Sequence, residues 1–167
     1  MPIEKYLDQL QVDPPQRVSG TAVFLTGSTY GVPPALLYQI EHNKVLHEQV
    51  ILLTVITRNV SYLRGQARVE IEDLGQDFYR VTARHGFMED PDIQEILRWC
   101  KAADLKVELS ETSFFLGRET IIPSKKLGMI FWRAALFAFM SRNALRATAF
   151  FRIPHDRVIE LGVQVEV

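Results

Sequence analysis

Residues Gln49–Thr57, QVILLTVIT, are the strongest strand signal in the chain. A strand with one wet face alternates apolar and polar residues. This run is β-branched and apolar on both faces, which predicts a central parallel strand covered on both sides. Parallel neighbours need a crossover connection, and the preceding residues have the form of one. Thr21–Thr26 reads as a short apolar strand, Gly27–Gly31 as a turn of small residues, and Pro33-Pro34 as the first turn of a helix running to about His42. Strand, helix, strand in this order implies a βαβ unit with a right-handed crossover.

The flanking segments fill out the domain. Ile3–Gln11 reads as a short amphipathic helix with Ile3, Tyr6, Leu7 and Leu10 on one side, stopped by Asp13-Pro14-Pro15. Arg68–Leu74 and Phe78–Arg84 alternate around Gly75-Gln76-Asp77, which predicts a hairpin with one solvated face. Asp90–Ala103 reads as a helix with Asp90 as N-cap, Pro91 at its first position, and Ile93, Ile96, Leu97 and Cys100 as its inner stripe. Val107–Leu109 and Thr112–Leu116 read as strands, Met129–Ala149 as a long helix, and Val158–Val167 as a closing strand after a turn at Pro154–Asp156. The expected fold class is therefore α/β. It is a single compact domain whose mixed sheet has a parallel βαβ core plus a hairpin, with helices packed on it.

Bulk properties exclude several classes. The 167 residues suffice for one real core, and 47% hydrophobic with 23% charged residues is ordinary for a globular chain. A net charge of −1 leaves no electrostatic footprint for nucleic acid. The single cysteine, Cys100, rules out an internal disulfide and reads as a buried thiol. Met1–Asp13 lacks the apolar core of a signal peptide. The most apolar long stretch, Met129–Pro154, is interrupted by Arg133, Arg142, Arg146 and Arg152, which argues against a membrane span. Taken alone, the chain is expected to be soluble.

Chemistry is sparse. The strand–loop–helix turn at Thr26–Gly31 can present backbone N–H groups and the hydroxyls of Thr26, Ser28 and Thr29 to an anion. It has no phosphate-loop lysine and no GxGxxG spacing, and its glycines also suit a plain turn. A ligand site would use Thr26, Gly27, Ser28 and Gly31, with Arg84 and Arg118 from two polar strand ends, RHGFMED and TSFFLGRE. The alternative for either arginine is an intradomain ion pair, for example with Glu89 or Glu119. His42 and His47 lack metal spacing and are assigned to capping or hydrogen bonding in the loop HNKVLHE. A triad of Ser113, His85 and Asp90 or Glu89 has nothing to bring it together. No catalytic residue, metal or cofactor is expected. The long helix carries Trp132, Leu136, Phe139 and Met140, too many large apolar residues for one narrow stripe, and reads as a core helix or a dimer or docking interface.

The strings GTAVFLT, GVPPALL, HNKVLHE, QVILLTV, FYRVTARHGFMEDPDI, TSFFLGRE and WRAALFAFMSRNALRATAFFRIPHDRVIELGVQVEV occur in order from about Arg17 to Val167. Together they closely resemble the C-terminal hydrophilic region of bacterial Kup potassium uptake proteins, within the KT/HAK/KUP transporters. The resemblance implies that this chain is a fragment, a cytoplasmic domain at the inner membrane. The transmembrane part, which handles potassium and protons, is missing from it. Residues 1–16 would then be a juxtamembrane linker or arm and 17–167 the domain. The implied role is regulation and homodimerisation. The distantly related KimA-type importers add a second possibility, a nucleotide-sensing module for cyclic di-AMP or an adenine nucleotide.

Overall fold

A computed structural model describes residues 1–63, 68–122 and 151–166, with side chains described as far as 117 and from 151 to 162. The helix expected over 129–149, and with it Trp132, Leu136, Phe139 and Met140, lies outside the described residues.

The apolar run at 49–57 sits where its two-faced hydrophobicity requires. It belongs to β2 (Val45–Arg58), third in a six-stranded sheet of order β3-β4-β2-β1-β5-β6. The other strands are β1 (Gln16–Leu25), β3 (Val69–Gly75), β4 (Phe78–Gly86), β5 (Thr112–Ile122) and β6 (Val158–Glu166). Every pairing is parallel except the β3–β4 hairpin. Alternate residues of the central strands feed two cores. Val50, Leu52, Ala22, Phe24 and Phe115 face α1 (Ile3–Val12) and α2 (Pro34–Tyr38). Ile51, Leu53, Val23, Phe114 and Leu116 face α3 (Ile93–Ala102) and the segment around Ile153. The expected α/β fold, with its parallel βαβ core, hairpin and packed helices, is the observed one.

Both amphipathic helices bury the stripes read from their spacing. Ile3, Tyr6, Leu7 and Leu10 of α1 are buried against the sheet, so the segment read as a linker or arm contributes to one core. On α3, Ile93, Ile96, Leu97 and Cys100 are buried. Burial raises the Cys100 thiol to about 11, which keeps it protonated and inert at neutral pH.

Several boundaries differ from expectation. β1 begins at Gln16 rather than Thr21, because its polar first half is held by contacts instead of burial. Arg17 donates to the carbonyls of His47 and Glu48, and its guanidinium lies 5.7 Å from the Phe78 ring centroid. Gly20 takes φ +97° at the register shift between Val18 and Thr21, and a Cβ there would lie 2.6 Å from the Glu111 carbonyl oxygen. β2 begins at Val45, so His47 is a strand residue rather than part of a loop. The helix from Pro34 changes at Gln39–Asn43 to a wider π turn, closed by Lys44 at φ 56°. The N-cap of α3 is Asp92, whose side chain accepts from the Gln94 N–H, and not Asp90. Val107–Leu109 is not a strand; Leu105 and Val107 pack into the core as irregular chain before a 3₁₀ turn at Leu109–Glu111.

The strands end at different heights. β1 stops at Leu25, opposite Leu53 of β2 and Leu116 of β5. β2 continues to Arg58 paired only with β4, and β5 continues to Ile122 paired only with β6. A notch is left above β1, and the loop Thr26–Gly31 lies in it.

Candidate functional site

In open α/β sheets, ligands bind outside the carboxyl ends of the strands. At that edge the Thr26–Gly31 loop uses its polar groups on itself. Thr26 Oγ1 accepts from the Ser28 N–H at 3.2 Å, and its hydroxyl contacts the Ser28 carbonyl at 3.1 Å. Ser28 Oγ accepts from the Tyr30 N–H at 3.2 Å and contacts the Tyr30 carbonyl, also at 3.2 Å. The following helix α2 has five residues and opens on Pro33-Pro34, which carry no N–H, so it presents little positive end to an anion.

Arg84 stands on β4 in an ion pair with Glu70 of β3 at 2.5 Å rather than with Glu89, and the side chain of Glu119 lies outside the described residues. Four residues back on the same face, Arg80 pairs with Glu72 at 2.5 Å. A groove of about 330 Å³ runs over this ladder, lined by Thr29, Tyr30, Ile56, Glu70, Glu72, Arg80, Thr82 and Arg84. The structure thus brings Arg84 beside the loop's Thr29 and Tyr30, while Thr26, Gly27, Ser28 and Gly31 do not line the groove. Arg118 stands across the notch on β5, opposite Gly162 of β6, and its side chain is outside the described residues. Three strand spacings, about 14 Å, separate the β4 and β5 backbones.

Glu89, expected as an ion-pair partner of Arg84 or Arg118, is instead a polar centre built with Arg68, which sequence reasoning did not single out. Its carboxylate accepts from the backbone N–H of Gly86 at 2.6 Å and of Leu63 at 3.0 Å, and from Arg68 at 2.7 Å. Arg68 also donates to the Leu63 carbonyl and lies 5.1 Å from the Trp99 ring centroid. These bonds tie the loop after β2 to the loop after β4, helped by Phe87 N–H to Val60 O and Met88 N–H to Ser61 O. The two backbone donors, then Arg68, hold the Glu89 carboxyl at about 2, below its ordinary 4.5. A carboxyl lowered in the folded state contributes stability above its unfolded value and loses it as pH falls toward the folded one. With 16% of the side chain exposed, the expected cost of Glu89→Gln at pH 7 is about 1–2 kcal/mol. Urea titrations at pH 7 and pH 3 check it, since the gap between wild type and variant should narrow at the lower pH.

The remaining candidates are apart. Ser113 opens β5 beside Ala22, whereas His85 ends β4 with β2 and β1 between them. His85 is buried, with Nδ1 2.9 Å from the Gly86 carbonyl and Nε2 3.1 Å from Thr57 Oγ1. His42 stacks on Tyr38, and His47 meets the Phe115 ring edge-on, where burial lowers its pKa. No group of three or more His, Cys, Asp or Glu among the described residues is placed to hold a metal. No helix among them is long and apolar enough to cross a membrane. A wider hollow of about 680 Å³ lies at the opposite, amino edge, lined among others by Glu48, Asp77, Lys101, Asp104, Lys106 and Glu111.

Comparison with known proteins supplies what this chemistry does not. Residues 19–167 match the family model described as K+ potassium transporter C-terminal domain. The chain is 54% identical over its whole length to the probable potassium transport system protein Kup of Myxococcus xanthus, and covers 26% of that protein. It is 52% identical to the probable potassium transport system protein Kup 1 of Geobacter sulfurreducens, with 99% of the chain and 26% of the relative covered. It is 49% identical to the probable potassium transport system protein Kup 2 of Chromobacterium violaceum, with 100% and 27% covered. The chain therefore spans about a quarter of the length of these curated relatives. No solved structure matches it. With the family model covering all but the first 18 residues, the chain belongs to the K+ potassium transporter C-terminal domain family.

Proposed function

We propose that this chain is the cytoplasmic regulatory and dimerisation domain of a potassium uptake transporter at the bacterial inner membrane. Potassium and the coupled proton would be handled by the membrane part outside this chain. The observation that carries the reading is identity of about half across the full chain to potassium transport proteins of which it covers 26%. A domain of this kind acts by making different contacts in different transport states. The test uses the full-length transporter in cells lacking other potassium uptake, intact or truncated before residue 17. At matched membrane abundance, uptake or its regulation should change several-fold; unchanged uptake under all potassium regimes would count against a regulatory role. Sedimentation of the 167-residue chain checks dimerisation, with a monomer at high micromolar concentration as the adverse result.

One observation favours a second reading, a nucleotide-sensing module for cyclic di-AMP or an adenine nucleotide. Tyr30 is exposed beside Arg84, whose Nε is buried without a hydrogen-bond partner among the described residues. An aromatic face next to a guanidinium suits a base and its phosphate. Calorimetry with cyclic di-AMP, ATP and AMP decides it, and absence of heat with all three at millimolar ligand removes the support.

A further inference from the structure

We propose that the carboxyl edge of the sheet, centred on Val60, Tyr62, Phe87 and Met88, is the surface by which this domain seats on the transporter's membrane-embedded part. The inference rests on the transporter reading above and names the partner of one face.

Exposed hydrophobic residues scattered singly need no explanation, but clustered ones do. Four of the large exposed hydrophobics gather on the two loops that follow β2 and β4, with Tyr62 58%, Phe87 58% and Met88 60% exposed. Met1 and Tyr30, the latter 86% exposed, lie on the same edge at the end of β1. The opposite edge carries the acidic hollow around Asp77, Asp104 and Glu111. One end of the sheet is therefore apolar at its tips and the other is charged.

The two apolar loops are held in place. Phe87 and Met88 donate their N–H groups to Val60 and Ser61, and Glu89 ties Gly86 and Leu63 to Arg68. Gly86 packs so closely that a Cβ would lie 2.3 Å from the Ser61 carbonyl oxygen. Apolar side chains displayed on backbone already held by hydrogen bonds bind at a smaller ordering cost. Core packing does not account for this display, because these side chains face solvent.

The make-up of the relatives points to the occupant. The relatives are mostly made of something else, since this piece covers 26% of them, and the family description places it at the C-terminal end. Met1 O accepts from the Val32 N–H, and α1 is buried against the sheet immediately afterwards. Residue 1 thus lies at the carboxyl end of β1, where a membrane-embedded part ahead of this domain in the transporter would join it. The Val60–Met88 tips stand on the same edge, about 17 Å farther along the strand direction. A short tether on that side gives the preceding part a high effective concentration at these tips. Lipid is the less suitable occupant. Anionic membrane surfaces attract clusters of basic residues, whereas among the described residues here Arg68 is committed to Glu89 and Arg152 pairs with Asp90 and Asp92.

A photo-cross-linking amino acid placed at Phe87 of the full-length transporter tests this, with Val12, exposed at the far end of α1, as the control position. The expected result is a cross-link from position 87, and not from position 12, to peptides of the membrane-embedded part. Cross-linking to a second copy of this domain, to lipid alone, or equally from both positions overturns the proposal. A Phe87→Ser variant adds a functional arm: it should leave the unfolding midpoint of the 167-residue chain unchanged while altering uptake several-fold. If truncating the whole domain leaves uptake unchanged, the regulatory reading fails, and the cross-link still reports separately on the docking face.

Discussion

Replacing Phe115 by alanine is expected to destabilise the fold by about 3–5 kcal/mol, the range for a large aromatic removed from a closed core. Phe115 is 1% exposed, its ring stacks on Phe24 with centroids 4.6 Å apart at 17°, and His47 meets it edge-on at 5.8 Å. The hole would open on the face covered by α1 and α2, in the cluster that packs these helices on the sheet. Urea unfolding read by circular dichroism measures the effect. At about 2–4 °C per kcal/mol for a chain of this size, the melting temperature should fall by roughly 6–20 °C. A double-mutant cycle with Phe24→Ala separates the pair from its burial, with an expected coupling of about 0.5–1.5 kcal/mol. Phe115→Leu, which keeps most of the volume, should recover much of the loss.

Gly86→Ala is the second large expectation. The added carbon would lie 2.3 Å from the Ser61 carbonyl oxygen and 2.7 Å from that of Val60, and both obstacles are backbone. Relief requires the two loops to part, which breaks the bonds from Phe87 and Met88 and draws the Gly86 N–H away from Glu89. The cost should reach about 2–4 kcal/mol, as for overpacking combined with a broken buried network. Hydrogen exchange locates it, with the Phe87 and Met88 amides accelerating more than those of β1. Gly27→Ala is the matched control, since nothing lies within 4 Å of a Cβ at that position. Equal losses for the two variants would show that loop crowding is not the cause.

What could be read from the residues follows what is local. The two-faced run in β2, the stripes of α1 and α3, and the alternation of the hairpin announce themselves by period, and each is where its period places it. The first half of β1 could not be read that way. Gln16 and Arg17 are exposed, and the segment is a strand because Arg17 finds carbonyls thirty residues on. The capping aspartate was open to a finer reading, because Asp92 and Glu95 have capping-box spacing and Asp90 has no such partner. Val107–Leu109 has a strand's alternation but no free strand beside it, since β5 is already paired with β1 and β6. The Glu89–Arg68 pair joins residues 21 apart through a fold, which no spacing rule reaches. For the apolar loop tips a signal did exist, Val60, Tyr62, Phe87 and Met88 in segments otherwise reading as turns.

The early stop of β1 has a mechanical consequence. Below the level of Leu25, Leu53 and Leu116, a force on either flank is shared across the whole hydrogen-bonded sheet. Above it, no strand among the described residues joins the β2–β4 and β5–β6 extensions, so the sheet behaves there like a two-pronged fork on a stiff handle. A load on the Phe87 prong would bend it against the core without carrying the Arg118 prong with it, and the loop at Thr26–Gly31 sits at the crotch where the two deflections would be felt as a difference.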